Sequence, residues 1–354
     1  MISSVYIRGF RGIREGFIDG LERVTLLIGR NGAGKSSILE AIYLASACAN
    51  PQDEVRRENK LDYVLSRRGG RGSWNETRRF LWFMGSAEAP IEVHLGISGK
   101  RYKFVVVDVT KYEYPVKLET AQVEGAQCCF ADLATGYAWL DPEGKIKREF
   151  FSVTDELARV KRFLEGILFI DGVLARRPDI IEAYAWPRVL QRRLDKIVTA
   201  LIKEEFELEA EGFTYAPIAG GYYLMLQTAE TAVRVDDLGD GARSALTTAM
   251  LVLAYKPTVV LIEEPELHMH PRGLYVYMKF LMRLAKDMDF QVIASTHSVE
   301  LVQIAQMVSQ ELGVGMAAFY LEREAGILKS RSFSPQDLEV LRKLGIDVRL
   351  LHIF

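Results

Sequence analysis

The sequence has little cysteine and no excess of charge of either sign. Its three cysteines, Cys48, Cys128 and Cys129, match neither a disulfide framework nor a metal site in their spacing. We therefore predict reduced cysteines and a cytoplasmic location. The formal net charge of −2 excludes a global field that draws the chain to nucleic acid, so any such binding has to come from a local patch.

Long apolar runs, internal repeats and low-complexity tracts are missing as well. The most apolar stretch, Thr247–Tyr255, is far too short to span a membrane. The first ten residues lack the apolar run of a signal peptide. We expect no membrane association. Hydrophobic residues make up 49% of the 354-residue chain, which is ample for a sizeable core.

Apolar runs of strand length alternate with helical patterns towards both ends of the chain. Val24–Ile28 is an apolar, β-branched run of strand length. Val259–Ile262 and Gln291–Ala294 have the composition of buried parallel strands. This alternation predicts an α/β core built from residues 1–130 and 213–354. Residues 131–212 have a helical pattern instead, with one helix predicted from a cap at Ser152 to Leu168 and another from Pro187 to Leu201. We predict that residues 131–212 form a helical insertion subdomain.

A glycine-rich segment follows the first apolar run. Gly29-Arg30-Asn31-Gly32-Ala33-Gly34-Lys35-Ser36 matches the P-loop pattern, with Ser37 directly after it. Glycines let successive backbone N–H groups point at a phosphate chain, and the helix that follows directs its positive N-terminus at the same anion. Lys35 then bridges the β- and γ-phosphates, and Ser36 ligates magnesium. The pattern predicts a site for ATP and Mg²⁺.

Two further polar groups follow apolar strands. Glu263 and Glu264 end the strand that begins at Val259, where ligands of open α/β sheets bind. One acid can hold the magnesium shell, which we assign to Glu263, while Glu264 orients or deprotonates water. His297 follows the next strand, at the place of a γ-phosphate sensor. We predict Glu264 and His297 as catalytic residues.

Taken together, these segments resemble the Walker A, Walker B and switch-histidine elements of ABC-type ATPases. The early Arg8-Gly9-Phe10-Arg11 and the run from Glu264 to Pro271 are similar to the SMC, RecF and OLD group and its shorter archaeal and bacterial relatives. The C-terminal run from Leu344 to Arg349 fits those shorter relatives too. The resemblance covers residues 1–48 and 215–354, and it implies a P-loop NTPase with an ABC-ATPase core.

The resemblance also implies a composite site, in which a signature loop from a second subunit closes over the γ-phosphate. Gly239 and Gly241, just before a predicted helix, are the candidates for that loop. The alternative is an ordinary glycine turn with Asp240 as the helix N-cap. The segment has Gly239 where transporters have serine, and Glu263 stands where aspartate is usual. Gln122 and Gln127 are the candidates for the glutamine loop.

Other clusters allow a structural and a functional interpretation. Asp287 with Asp289 could belong to a nuclease, but both lie directly before the strand leading to His297, inside the ATPase core. His268 and His270 with Glu266 could form a metal site, but the family pattern explains them better. The basic stretch from Arg56 to Arg71 is either a solvated loop or a phosphate-binding patch. The same question applies to the basic residues Arg176, Arg177, Arg188, Arg192, Arg193 and Lys196.

We expect Mg-dependent ATP hydrolysis coupled to closure of a homodimer. The family implies DNA repair or defence against mobile elements, with DNA or a separate effector protein as the partner. The alternatives are a nucleotide-dependent switch or scaffold with little turnover, and an ATPase subunit of a transporter. Against the transporter, the P-loop and the signature segment lie further apart in the sequence than in compact transporter ATPases.

Overall fold

A computed structural model describes residues 1–68, 77–86, 88–107, 128–132, 136–140, 146–147, 155–206, 209–218 and 220–353. Its strands are β1 (Ile2–Phe10), β2 (Ile13–Asp19), β3 (Val24–Gly29), β4 (Ile91–Ile97), β5 (Lys100–Val107), β6 (Cys128–Asp132), β7 (Gly136–Leu140), β8 (Ile146–Lys147), β9 (Ile167–Ile170), β10 (Ala210–Ile218), β11 (Gly221–Thr228), β12 (Ala232–Arg234), β13 (Val259–Glu263), β14 (Gln291–Thr296), β15 (Met316–Glu324) and β16 (Ile327–Phe333).

The helices are α1 (Lys35–Ala47), α2 (Lys60–Ser66), α3 (Asp155–Glu165), α4 (Trp186–Gln191), α5 (Asp195–Glu205), α6 (Asp240–Tyr255), α7 (Pro271–Asp287), α8 (Val299–Leu312) and α9 (Pro335–Lys343). Shorter helical turns cover Arg78–Leu81, Phe83–Gly85, Leu174–Arg176, Pro178–Ile180, Ile181–Ala185, Val235–Asp237 and Val348–Ile353. Among the helices that the structure describes, none combines the length and the apolar character that a membrane crossing requires.

Thirteen of the described strands form one mixed sheet in the order β8-β7-β6-β5-β4-β1-β2-β16-β15-β3-β14-β13-β9. Strands β9, β13, β14, β3 and β15 are parallel to their neighbours within this group. Their carboxyl ends therefore lie at one edge of the sheet, where ligands of open α/β folds bind. Strands β10, β11 and β12 form a separate antiparallel sheet.

The core lies on both faces of the main sheet, because side chains of its buried strands alternate between the faces. In β13, Val260 and Ile262 join a cluster that contains buried residues of α6, α7 and α8. Leu261 of the same strand joins a second cluster, which contains buried residues of α1. This three-layer arrangement confirms the predicted α/β class.

Parts of residues 131–212 differ from the sequence prediction. The predicted helix to Leu168 is wrong in its last turn, since α3 ends at Glu165 and Ile167–Ile170 pair with β13 in the main sheet. The second predicted helix is broken into α4 and α5, with Arg193 between them in the left-handed region at φ 57°. The division into a core and an insertion over residues 131–212 stays a prediction.

The cysteine prediction is also wrong at one position. Cys48 follows α1, is buried, and is disulfide-bonded.

Candidate functional site

The P-loop leaves β3 at Gly29 and enters α1 at Lys35. Gly29 has φ 151°, and a Cβ there would lie 2.4 Å from the backbone oxygen of Leu321, so only glycine fits. The loop is closed by its own lysine, because Lys35 Nζ donates to the carbonyl oxygens of Gly29 at 2.9 Å and Arg30 at 3.2 Å. The free N–H groups at the start of α1 complete an anion-binding cradle.

Burial lowers the pKa of Lys35 to about 8, although the carboxylates of Glu264 and Glu266 oppose this shift. The ammonium group is therefore mostly protonated at neutral pH and carries a positive charge in a site of low solvent access. A bound polyphosphate would pair with the ammonium group and so offset the free-energy cost of burying its charge.

Glu263 ends β13 beside the P-loop, as predicted. Its Oε2 pairs with the guanidinium of Arg67, whereas its Oε1 is buried and accepts no hydrogen bond from the described residues. Burial raises the pKa of Glu263, and Arg67 and the Ser36 hydroxyl oppose this shift. A buried, unpartnered carboxylate oxygen near a P-loop serine fits a Mg²⁺ ion, which takes few protein ligands beside phosphate and water.

Glu264 and His297 meet at the same edge of the sheet. The Oε1 of Glu264 lies 3.6 Å from Nε2 of His297, and both side chains are about two-fifths exposed, at 38% and 40%. Glu264 has φ 46°, and its backbone N–H donates to the carbonyl of Ser295 at 2.9 Å. The chain therefore turns sharply after β13, and this turn presents the Glu264 carboxylate to the cleft beside His297.

The sequence did not connect Glu266 with His297, whose backbone this carboxylate holds. Its Oε1 accepts hydrogen bonds from Thr296 Oγ1 at 2.6 Å and from the His297 backbone N–H at 3.0 Å. Burial and the Lys35 cation lower the pKa of His297, so the imidazole is neutral at pH 7. The guanidinium of Arg349 also holds the His297 backbone, since it donates to the His297 carbonyl oxygen at 3.3 Å.

A buried ion cluster adjoins the site, and the sequence missed it. Arg67, 7% exposed in its side chain, pairs with Glu40 of α1, Asp171 after β9 and Glu263 at the end of β13. Its guanidinium also lies 4.9 Å from the ring centroid of Phe169. Arg67 thus connects the P-loop helix to two carboxylates at strand ends.

Further members extend the cluster away from the P-loop. Arg56 pairs with Asp53 at 3.1 Å and Asp171 at 3.3 Å, and its side chain is 2% exposed. Lys60 is buried and donates to Ser46 Oγ at 2.9 Å. Both interpretations of the basic stretch are therefore wrong for Arg56, Lys60 and Arg67, because these cations are neither solvated nor free to bind phosphate. Arg71 lies outside the described residues.

The candidate signature loop lies at the start of α6. Gly239 is the N-cap residue and is exposed, and a Cβ there would meet no atom within 4 Å. Gly241 is packed more closely, with His268 O 2.8 Å from the position of a Cβ. Asp240 is the first helical residue, so the alternative in which it is the N-cap is wrong. No P-loop atom of the same chain lies within 4 Å of that Cβ position on Gly239.

The other candidates have structural contacts or lie elsewhere. His270 is the N-cap of α7, with Nδ1 accepting from Arg272 N at 3.3 Å, and His268 lies 4.0 Å from Asp240. Asp289 pairs with Arg23 at 2.8 Å. Gln122 and Gln127 lie outside the described residues.

The α/β sheet and the P-loop at its edge define a P-loop NTPase. Residues 1–130 match the family model "AAA ATPase domain", and residues 141–303 match the family model "AAA domain, putative AbiEii toxin, Type IV TA system".

Two curated relatives and one solved structure extend this comparison. The chain is 26% identical over 330 residues to the OLD nuclease of Thermus scotoductus, covering 84% of this chain and 59% of that protein. It is 28% identical over 109 residues to the DNA replication and repair protein RecF of Halothermothrix orenii, covering 30% of this chain and 26% of RecF. The Smc head bound to the C-winged helix domain of ScpA has a similar fold, with a TM-score of 0.52, 14% identity, and coverage of 94% and 98%.

The chain is therefore similar in sequence to OLD and RecF proteins and shares the fold of the Smc head, and it is an ATPase. It spans less than two thirds of the OLD nuclease and of RecF, so the activities of those whole proteins do not transfer to it directly.

Proposed function

We propose that the chain binds ATP with Mg²⁺ and hydrolyses it slowly, in a site that a second copy of the chain completes. The observation that carries this proposal is the buried Oε1 of Glu263, which has no hydrogen-bond partner in the described residues and lies beside the P-loop. Ser36 and Glu263 would hold the metal, which supplies charge neutralisation at the phosphates when bound. Residues Asn31, Gly32, Ala33, Gly34, Lys35, Ser36 and Ser37 form the nucleotide cradle.

The two groups at the edge of the sheet divide the chemistry between them. Glu264 accepts a proton from the attacking water, because it is exposed enough to reach water and is paired only loosely, at 3.6 Å, with His297. The neutral His297 imidazole donates one N–H towards the γ-phosphate and accepts at its other nitrogen. Glu266 fixes the backbone of His297 and so sets the direction of the ring.

The dimer follows from the position of the signature loop. Gly239 opens to free space at the start of α6, because a Cβ there would meet no atom in the described part of its own chain within 4 Å. A second copy with its Gly239 and Gly241 over the first copy's γ-phosphate provides backbone N–H groups there. Closure therefore depends on the nucleotide, and its output goes to DNA or to a separate effector protein, in repair or in defence against mobile elements.

The second candidate function is a nucleotide-dependent switch or scaffold with little turnover. It is favoured by the ion pair of Glu263 with Arg67, which competes with the metal for the same carboxylate. Gly239 also lacks a serine hydroxyl, which weakens the contact across the dimer and so favours the switch as well.

Calorimetric titration with ATP, followed by phosphate release with and without DNA, tests the proposal. Lys35→Ala should abolish ATP binding, whereas Lys203→Ala, an exposed cation on α5, should leave it unchanged. Unchanged affinity in Lys35→Ala would overturn the P-loop assignment. Tight ATP binding with negligible phosphate release in the wild type would favour the switch over the enzyme.

A further inference from the structure

An open groove lies along the side of the P-loop away from Glu263. Its lining includes the cations Arg30, Arg323 and Lys329, the acids Glu322 and Glu324, and Asn31 and Gly32 of the P-loop. Leu321 of β15 pairs in register with Gly29, the last residue of β3. Strand β15 therefore runs three residues beyond the point where the P-loop leaves the sheet, and it forms the opposite wall of the groove.

Arg323 is an exposed cation in this wall. Within the described part of the chain, no hydrogen bond or ion pair engages its guanidinium, whereas its neighbour Glu324 pairs with Lys329 at 2.9 Å. The guanidinium crosses Gly12, where a Cβ would lie 1.5 Å from Nη1, and it is 3.9 Å from the Cβ position of Gly32. The planar cation thus lies between the β1–β2 turn and the middle of the P-loop.

The order of the strands sets the direction of a bound nucleotide. Strands β14 and β13 lie on one side of β3, and β15 lies on the other. Glu263, Glu264 and His297 follow β13 and β14, so the reacting phosphate has to lie on that side. The nucleoside end of the same molecule then leaves the P-loop on the β15 side, past Gly12 and Arg323.

We propose that Arg323 stacks on the base of the bound nucleotide and that Gly12 provides the room for its guanidinium. A planar, delocalised guanidinium stacks on an aromatic ring system, which a lysine ammonium does not. This inference rests on the proposed function and adds to it a residue that distinguishes a nucleotide from a bare polyphosphate.

Calorimetry with ATP and with tripolyphosphate tests the contact. Arg323→Ala should weaken ATP binding about two- to fivefold, as expected for a cation–π contact at an exposed site. The affinity of Arg323→Ala for tripolyphosphate should equal that of the wild type. In ATP hydrolysis, the variant should have a raised KM and an unchanged kcat. Arg331→Ala, which removes an exposed cation from the neighbouring strand β16, is the matched control and should leave both affinities unchanged.

A second substitution tests the steric part. Gly12→Ala places a methyl group where Nη1 lies, and the flexible arginine can move away without cost to the fold. Gly12→Ala should weaken ATP binding as much as Arg323→Ala does. The double variant Gly12→Ala with Arg323→Ala should bind ATP as tightly as Arg323→Ala alone.

Three results would overturn the stacking contact. They are equal losses for ATP and tripolyphosphate, an equal effect of Arg331→Ala, and unchanged ATP affinity in Arg323→Ala. A wild-type protein that binds no ATP would instead refute the proposed function itself, so the two failures are distinguishable.

Discussion

Replacing Arg67 with methionine tests whether the buried ion cluster stabilises the site. The substitution keeps much of the volume and removes a charge that three carboxylates share. Glu40 retains Arg11 at 3.0 Å, and Asp171 retains Arg56 at 3.3 Å. Within the described residues, Glu263 is left with no cation.

The expected loss of stability in Arg67→Met follows from the one carboxylate, Glu263, that loses its cation. Removing one partner of a buried ion pair costs about 3–5 kcal/mol, and we expect the lower end because two of the three acids keep a partner. Glu263 can also take up a proton, since burial already raises its pKa. A loss of about 3 kcal/mol corresponds to a fall of about 4 °C in Tm for a chain of this size.

Urea unfolding followed by circular dichroism measures this loss. Arg68→Met is the matched control, because Arg68 contacts the same Glu40 at 2.8 Å but is 42% exposed, and it should cost less than about 1 kcal/mol. Adding Glu263→Gln to Arg67→Met should recover part of the stability, since it removes the acid that lost its partner. Equal costs for Arg67→Met and Arg68→Met, or no recovery in the double variant, would refute the reasoning.

Three further predictions concern the nucleotide and the partner. ATP affinity measured by calorimetry should fall above about pH 8, where Lys35 loses its proton. In Lys35→Arg the affinity should not depend on pH over this range. A wild-type affinity that does not change up to about pH 9.5 would contradict this prediction. Glu264→Gln should keep ATP and accumulate dimer, seen by light scattering with ATP and magnesium; normal hydrolysis in this variant would move the catalytic role elsewhere. Charge reversal at Arg193 and Lys196, both exposed, should reduce the slope of DNA affinity against salt by about two. Absence of DNA affinity at low salt would direct the search to a protein partner.

The choice of Arg193 and Lys196 comes from the structure. Arg192 donates to the carbonyl oxygens of Leu253 at 3.3 Å and Ala254 at 2.7 Å, and Arg177 pairs with Asp179 at 2.8 Å. Arg188 lies 3.8 Å from Glu54 and 4.3 Å from the ring centroid of Tyr255. Reversing those charges would disturb the fold as well as any DNA contact.

The parts of the site that could be predicted from the sequence are local in the chain. The P-loop is one run of eight residues from Gly29 to Ser36, and its geometry follows from its own glycines and the helix after it. Glu263, Glu264 and His297 could be predicted as neighbours because each ends or follows an apolar strand, and parallel strands bring their carboxyl ends to one edge.

The missed parts depend on contacts between distant segments. Arg67 and Glu263 are separated by 196 positions, and no pattern within either segment indicates their pairing. Asp171 was missed for a related reason, because the helical pattern was extended through Ile167 and Leu168 into what is a strand. The arginines near Arg56 had the composition of a solvated loop, and only their burial distinguishes them.

Helix α6 connects the candidate signature loop to the segment around Arg192, two regions that no sequence motif links. It begins at the signature loop, and its last carbonyl groups accept hydrogen bonds from Arg192. Its 16 residues span about 24 Å at 1.5 Å per residue. A tilt of about 5° at the signature end, pivoting there, displaces the Arg192 end by about 2 Å over that length. Helix α6 therefore connects the candidate signature loop to the α4–α5 connection beside Arg193, and such a tilt at one end would move the other.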